Sequence, residues 1–163
     1  MAFVYIWENT PTEPGHASLE TSNAYISYWP STPANKKDFK IGQTHEAAFP
    51  SSYRTDWRLE GKECDHKVYL SGLNEVELEK QWQKFKNDAP KYNMVKHNCS
   101  TVIATMLEIG SNIPPPSTPT LNIEENHFPF KFLFKLRYLG NYIDMWTPNT
   151  VWQYALHIEQ NMP

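Results

Sequence analysis

The stretch His97-Asn98-Cys99-Ser100-Thr101-Val102-Ile103-Ala104-Thr105-Met106-Leu107-Glu108-Ile109-Gly110 constrains this chain more than any other. Val102, Ile103, Met106 and Leu107 recur at helical spacing, so the segment predicts a helix whose apolar face has to be covered. Asn98 suits the N-cap, because its side-chain oxygen can accept from a free N–H of the first turn. Gly110 is a natural residue to end the helix. Cys99 lies four residues before Ile103, in the first turn, on or beside the apolar face. A thiol there meets the positive end of the helix dipole and unpaired N–H groups, which favour the thiolate. Two readings stay open: an activated nucleophile, or a small buried cysteine at the start of a core helix.

Length and composition narrow the classes. A chain of 163 residues suits one domain with a real core, 1–163. Its net charge of −3 argues against nucleic-acid binding through a basic surface. Two cysteines, Cys64 and Cys99, are too few for a disulfide framework and fit a reducing, cytoplasmic compartment. Met1 to Glu8 lacks the basic region and long apolar core of a signal peptide. No stretch approaches the roughly 20 apolar residues of a membrane span. The expectation is a soluble protein, or at most a peripheral one.

Ala2 to Trp7 reads as a buried strand, short, aromatic and β-branched. After Pro14-Gly15, His16 to Thr21 alternates like a strand; Ser22-Asn23 offers a turn, and Ala24 to Pro30 a second strand, giving a hairpin. Period-two geometry places His16, Ser18 and Glu20 on one face and Ala17 and Leu19 on the other. Ser31 to Leu59 shows no steady period and reads as a long surface excursion carrying Asp38, His45 and Asp56. Lys67 to Leu70 predicts a strand. Asn74 then caps a helix over Glu75 to Asp88, with Glu77 placed for a capping box. The helix buries Leu78, Trp82 and Phe85. Ile113 to Pro119 is proline-rich, the start of a connector over 113–127 that leads to an aromatic and helical C-terminal segment. In that segment Phe128, Phe130, Phe132 and Phe134 alternate with Lys131 and Lys135, either as a strand or as an aromatic wedge. Amphipathic basic segments can rest on anionic lipid, so Phe128 to Tyr138 is a candidate peripheral membrane contact. A core strand with its lysines in water is the alternative. Thr147-Pro148 opens a last helix, running to about Glu159.

The chemistry-bearing pattern is one cysteine at a helix start and one histidine at a strand start. A thiol needs a base close by, and only the fold can bring His16 to Cys99. A second pattern is Cys64-Asp65-His66 with His97-Asn98-Cys99, four potential zinc ligands, although one residue between ligands is tight for a structural site. No metal is expected. His45, His127 and His157 read as surface or core histidines.

Gly15-His16-Ala17-Ser18-Leu19-Glu20, Tyr25-Ile26-Ser27-Tyr28-Trp29-Pro30 and Asn98-Cys99-Ser100-Thr101 together resemble the circularly permuted papain-like superfamily. That group includes relatives of lecithin:retinol acyltransferase, NlpC/P60 enzymes and the Rho-inactivation-type acyltransferase domains of bacterial toxins, with the His strand ahead of the Cys helix. The resemblance implies an α+β fold with an antiparallel sheet packed on the Cys-bearing helix. It implies Cys99 as nucleophile and His16 as base. In the lecithin:retinol acyltransferase branch a second histidine follows the first by twelve residues; here Tyr28 stands there. Asp56 is the preferred orienting carboxylate, since it follows the family-like Tyr53-Arg54-Thr55, with Asp38 and Tyr28 as alternatives. The implied activity is a thioester-forming hydrolase or acyltransferase, toxin-like, acting on a protein, with no resident cofactor and acyl-CoA as a conceivable co-substrate. The competing hypothesis is a non-catalytic interaction module on the same fold.

Overall fold

The computed structural model describes residues 1–10, 13–31, 44–88, 90–117, 119–122 and 142–162. Asp38, His127 and Phe128 to Tyr138 lie outside the described residues, and with them the membrane-contact reading.

Strand β1 (Ala2–Trp7) is the apolar run at the start of the sequence, and it is central to a four-stranded antiparallel sheet. One neighbour is β2 (His16–Glu20), in a register that sets Trp7 opposite His16 and Val4 opposite Leu19. The other is β7 (His66–Leu70), with Val4 opposite Val68. β3 (Tyr25–Ile26) pairs with the outer edge of β2, closed by a Thr21 N–H to Ala24 carbonyl bond of 2.8 Å. This is the expected hairpin, though its second strand is shorter than Ala24 to Pro30. The chain leaves the sheet after Ile26 and re-forms as β4 (Trp29–Pro30), paired with β6 (Ala47–Ala48).

Ser31 to Leu59 is not a continuous surface excursion. Besides β6 it holds β5 (Thr44–His45), which pairs with β8 (Tyr92–Asn93), and helix α1 (Tyr53–Glu60). Ser52 caps α1, its side chain accepting the Thr55 N–H at 3.3 Å. Gly61 ends it in the left-handed conformation at φ 71°.

Helix α2 (Glu75–Asp88) starts at Asn74, whose side-chain oxygen accepts the Glu77 N–H at 3.2 Å. The reciprocal half of the capping box is not made. Glu77 bonds Gln81 and Lys80, and the Asn74 N–H goes to the Gly110 carbonyl at 2.7 Å. That bond ties the start of α2 to the end of α3 (Cys99–Ser111). Gly110 therefore does not end its helix. Asn112 does, left-handed at φ 56°, while a Cβ on Gly110 would stand 2.9 Å from Leu78 Cδ1. The glycine is there to let α2 approach.

Within the connector, β9 (Thr120–Asn122) pairs antiparallel with β10 (Tyr142–Asp144). Thr147 caps the last helix, α4 (Pro148–Asn161), with proline at its first turn as its sequence dictates. The described residues thus form mixed α and β structure with antiparallel sheets and four helices. Val4, Ile6, Ala17, Leu19 and Val68 of the sheet share one core with Val102, Ile103 and Leu107 of α3 and with Val151, Ala155 and Ile158 of α4. The opposite face of the sheet carries Tyr5, Trp7 and His16, and α1 covers that end, with Tyr53 packed on both Tyr5 and Trp7. No helix among the described residues is long and apolar enough to cross a membrane.

Candidate active site

Cys99 is the first residue of α3 and is 5% exposed. Asn98 fixes its position from both sides. The Asn98 side-chain oxygen accepts the Thr101 N–H at 2.8 Å, and its amide donates to the Met94 carbonyl at 2.8 Å and the Trp146 carbonyl at 2.9 Å. One side chain therefore caps the helix and pins the segment leading into α4 against it.

The His16 ring reaches the Cys99 thiol, so strand start and helix start are brought together. Its Nε2 lies 3.1 Å from Asp56 Oδ2 and 3.1 Å from Ser27 Oγ. With Nε2 committed to the carboxylate, Nδ1 is the nitrogen left to face the sulfur. The imidazole is held between two indoles, Trp29 at 4.5 Å and Trp7 at 5.6 Å between ring centroids.

Asp56 is fully buried, which would be costly for a carboxylate without partners. It has four. Oδ1 accepts from Ser27 Oγ and Trp29 Nε1, each at 2.9 Å; Oδ2 accepts from the Tyr25 hydroxyl at 2.7 Å and from His16. Tyr25, Ser27 and Trp29 alternate in sequence and so point the same way, towards α1. Tyr28 points the other way, its hydroxyl donating to the Pro90 carbonyl at 2.9 Å, so it is not the orienting group.

The electrostatics form one coupled unit. Burial alone would lower the His16 pKa, but the charges of Asp56 and Cys99 and their hydrogen bonds outweigh it and raise it to about 10. Burial alone would raise the Asp56 pKa; the His16 charge and the bonds from His16, Tyr25 and Ser27 instead hold it below the usual carboxylate range. Near neutral pH the arrangement is an imidazolium between a carboxylate and a sulfur, and a cation beside a thiol stabilises its thiolate.

The thiol lines a small cleft of about 20 Å³, room for about one water molecule. Pro14, Gly15, Tyr92, Met94, Ser100 and Trp146 line it together with Cys99. His16 and Asp56 are buried and do not line it. Tyr92, a residue that sequence reasoning passed over, hydrogen-bonds the thiol. Its strand is only two residues long, so no periodicity marks it.

The four cysteine and histidine residues of the zinc reading have separate partners. Cys64 contacts the Tyr53 hydroxyl at 3.6 Å, His66 bonds Glu8 and stacks on Trp152 at 3.7 Å, and His97 stacks on Phe85 at 5.9 Å. Among the described residues, no group of three or more His, Cys, Asp or Glu could hold a metal ion. His45 sits on β5 and His157 on α4, neither at the cleft.

Residues 43–112 match the family model of the IcsB middle domain. This stretch contains Asp56, Tyr92 and Cys99 but not His16, and over it the chain is similar to a bacterial effector domain. No curated protein and no solved structure matches the chain.

Proposed function

We propose that the protein is a cysteine-dependent enzyme of acyl chemistry, acting on a protein substrate through a thioester at Cys99, on a permuted papain-like fold. The observation that carries this reading is the continuous contact from Asp56 through His16 to the Cys99 sulfur, which lines a small cleft. A buried core thiol has no need of a base, a carboxylate behind that base and three further donors holding the carboxylate. The similarity to an effector domain favours a host protein as the target.

In this reading the Cys99 proton already rests on His16. The sulfur attacks a carbonyl carbon, the C–S bond forms, and the carbonyl π electrons move to oxygen. As the oxyanion collapses, the bond to the leaving group breaks and His16 gives that group its proton. Asp56 keeps Nε2 protonated and steadies the imidazolium, so Nδ1 is the atom that gives and takes the proton. Water then releases the acyl group, as in a protease, amidase or deamidase. An amine such as a lysine side chain would instead carry it away, with acyl-CoA as the donor.

The test is intact mass after incubation with acyl-CoA compounds and with p-nitrophenyl acetate. A single acyl adduct on Cys99, lost in Cys99→Ala and His16→Ala, is expected. Equal labelling of Cys64 and Cys99 that ignores His16 would favour a non-catalytic interaction module.

A further inference from the structure

Tyr92 lines the cleft with Cys99, 7% exposed, on the strand whose next residue, Asn93, bridges to His97 just before α3. Its hydroxyl makes two bonds to one residue. The oxygen accepts the Cys99 backbone N–H, and the proton is directed at the Cys99 sulfur. Two later N–H groups of the first turn are already taken, since Asn98 accepts that of Thr101 at 2.8 Å through its side chain and that of Val102 at 3.2 Å through its carbonyl. A phenolic oxygen seated on the Cys99 N–H and next to the sulfur occupies the place where the oxygen of an attacked carbonyl has to go.

We propose that Tyr92 is a catalytic residue of the oxyanion site: its hydroxyl holds that place in the free protein, yields the Cys99 N–H to the substrate oxygen, and donates its proton in a hydrogen bond to the oxyanion. The proposal rests on the thioester reading and adds a donor to it. When the C–S bond forms and the carbonyl electrons move to oxygen, negative charge leaves sulfur, and Tyr92 turns its hydrogen bond from one atom to the other. No proton is transferred. The burial and the Cys99 charge that hold the Tyr92 pKa well above 10 keep the phenol protonated, as a donor must be.

Two reagents separate this role from others. Iodoacetamide alkylates a thiolate by displacement at a saturated carbon, so no oxyanion forms. Acylation of Cys99 by p-nitrophenyl acetate passes through one, and its leaving group needs no proton. In Tyr92→Phe the acylation rate should fall by about 10²–10³-fold, the usual loss of one oxyanion donor, while alkylation changes by no more than a few-fold. Equal falls in both rates, or none, would overturn the proposal. If Tyr92→Phe does not fold, 3-fluorotyrosine at position 92, a more acidic donor, should raise the ratio of acylation to alkylation; an unchanged ratio overturns it. Failure of the wild-type protein to acylate would instead overturn the thioester reading itself.

Discussion

Asp56 Oδ2 lies 3.1 Å from His16 Nε2 although 40 residues separate them, and it is the only residue of its helix that is buried. Helix α1 is thus docked on the sheet through a charged hydrogen-bonded contact where an apolar stripe would be usual. Replacing Asp56 with Asn keeps the size but sets an amide N–H₂ against one pair of donors, either Ser27 and Trp29 or Tyr25 and His16. Breaking a buried pair in this way costs about 3–5 kcal/mol. For a chain of this length that lowers the thermal midpoint by about 6–20 °C, measurable by calorimetry, with loss of Cys99 acylation in the fraction that stays folded.

Stability should depend on pH with a defined sign. His16 titrates at 6.5 when unperturbed and near 10 in the fold. Its contribution is full below 6.5 and is lost as pH rises through that window. Asp56 acts oppositely: held below its ordinary value of 3.8, it stabilises above that pH and ceases to as pH falls. Denaturant midpoints should therefore decline between about pH 7 and about pH 10. In His16→Gln that decline should flatten.

Gly15 is required by close approach of the backbone. A Cβ there would stand 2.1 Å from the Trp7 carbonyl oxygen and 2.6 Å from the Glu8 carbonyl carbon. Gly15→Ala should cost at least about 1–3 kcal/mol by overpacking and shift the adjacent His16. Urea unfolding reads the first effect, and slower alkylation of Cys99 the second.

Tyr28→Phe is the contrasting case. It removes one hydrogen bond to the Pro90 carbonyl and should cost about 0.5–1.5 kcal/mol. Cys99 reactivity should be unchanged, which separates Tyr28 from the Asp56 unit.

Much of the frame was legible in the sequence because its signals were periodic or caps. The β1 run, the His16 strand, Asn74, Asn98 and the Thr147-Pro148 start all appear where local chemistry puts them. Helix α1 was hidden because Tyr53-Arg54-Thr55-Asp56-Trp57-Arg58-Leu59-Glu60 has no apolar stripe: its one buried residue is an aspartate, which hydropathy counts as exposed. The Ser52 cap was its available mark. Gly110 misled for a related reason, since spacing cannot tell a helix stop from a place where a second helix packs closely. At the site, Cys99, His16 and Asp56 were visible as candidates, but not their contact. Tyr25, Ser27 and Trp29 alternate on one face, a pattern whose purpose emerges only when Asp56 is buried beneath it.

The account turns on whether Cys99 exists as a thiolate paired with His16. The direct measurement is the rate of iodoacetamide alkylation at Cys99 from about pH 5 to about pH 9, read by peptide mass with Cys64 as internal control, in the wild-type protein and His16→Ala. The account predicts that Cys99 reacts rapidly already near pH 6, with little further rise, and that His16→Ala abolishes this. A Cys99 rate that climbs only around an ordinary thiol pKa of about 8.5, in parallel with Cys64 and unchanged by His16→Ala, would contradict it.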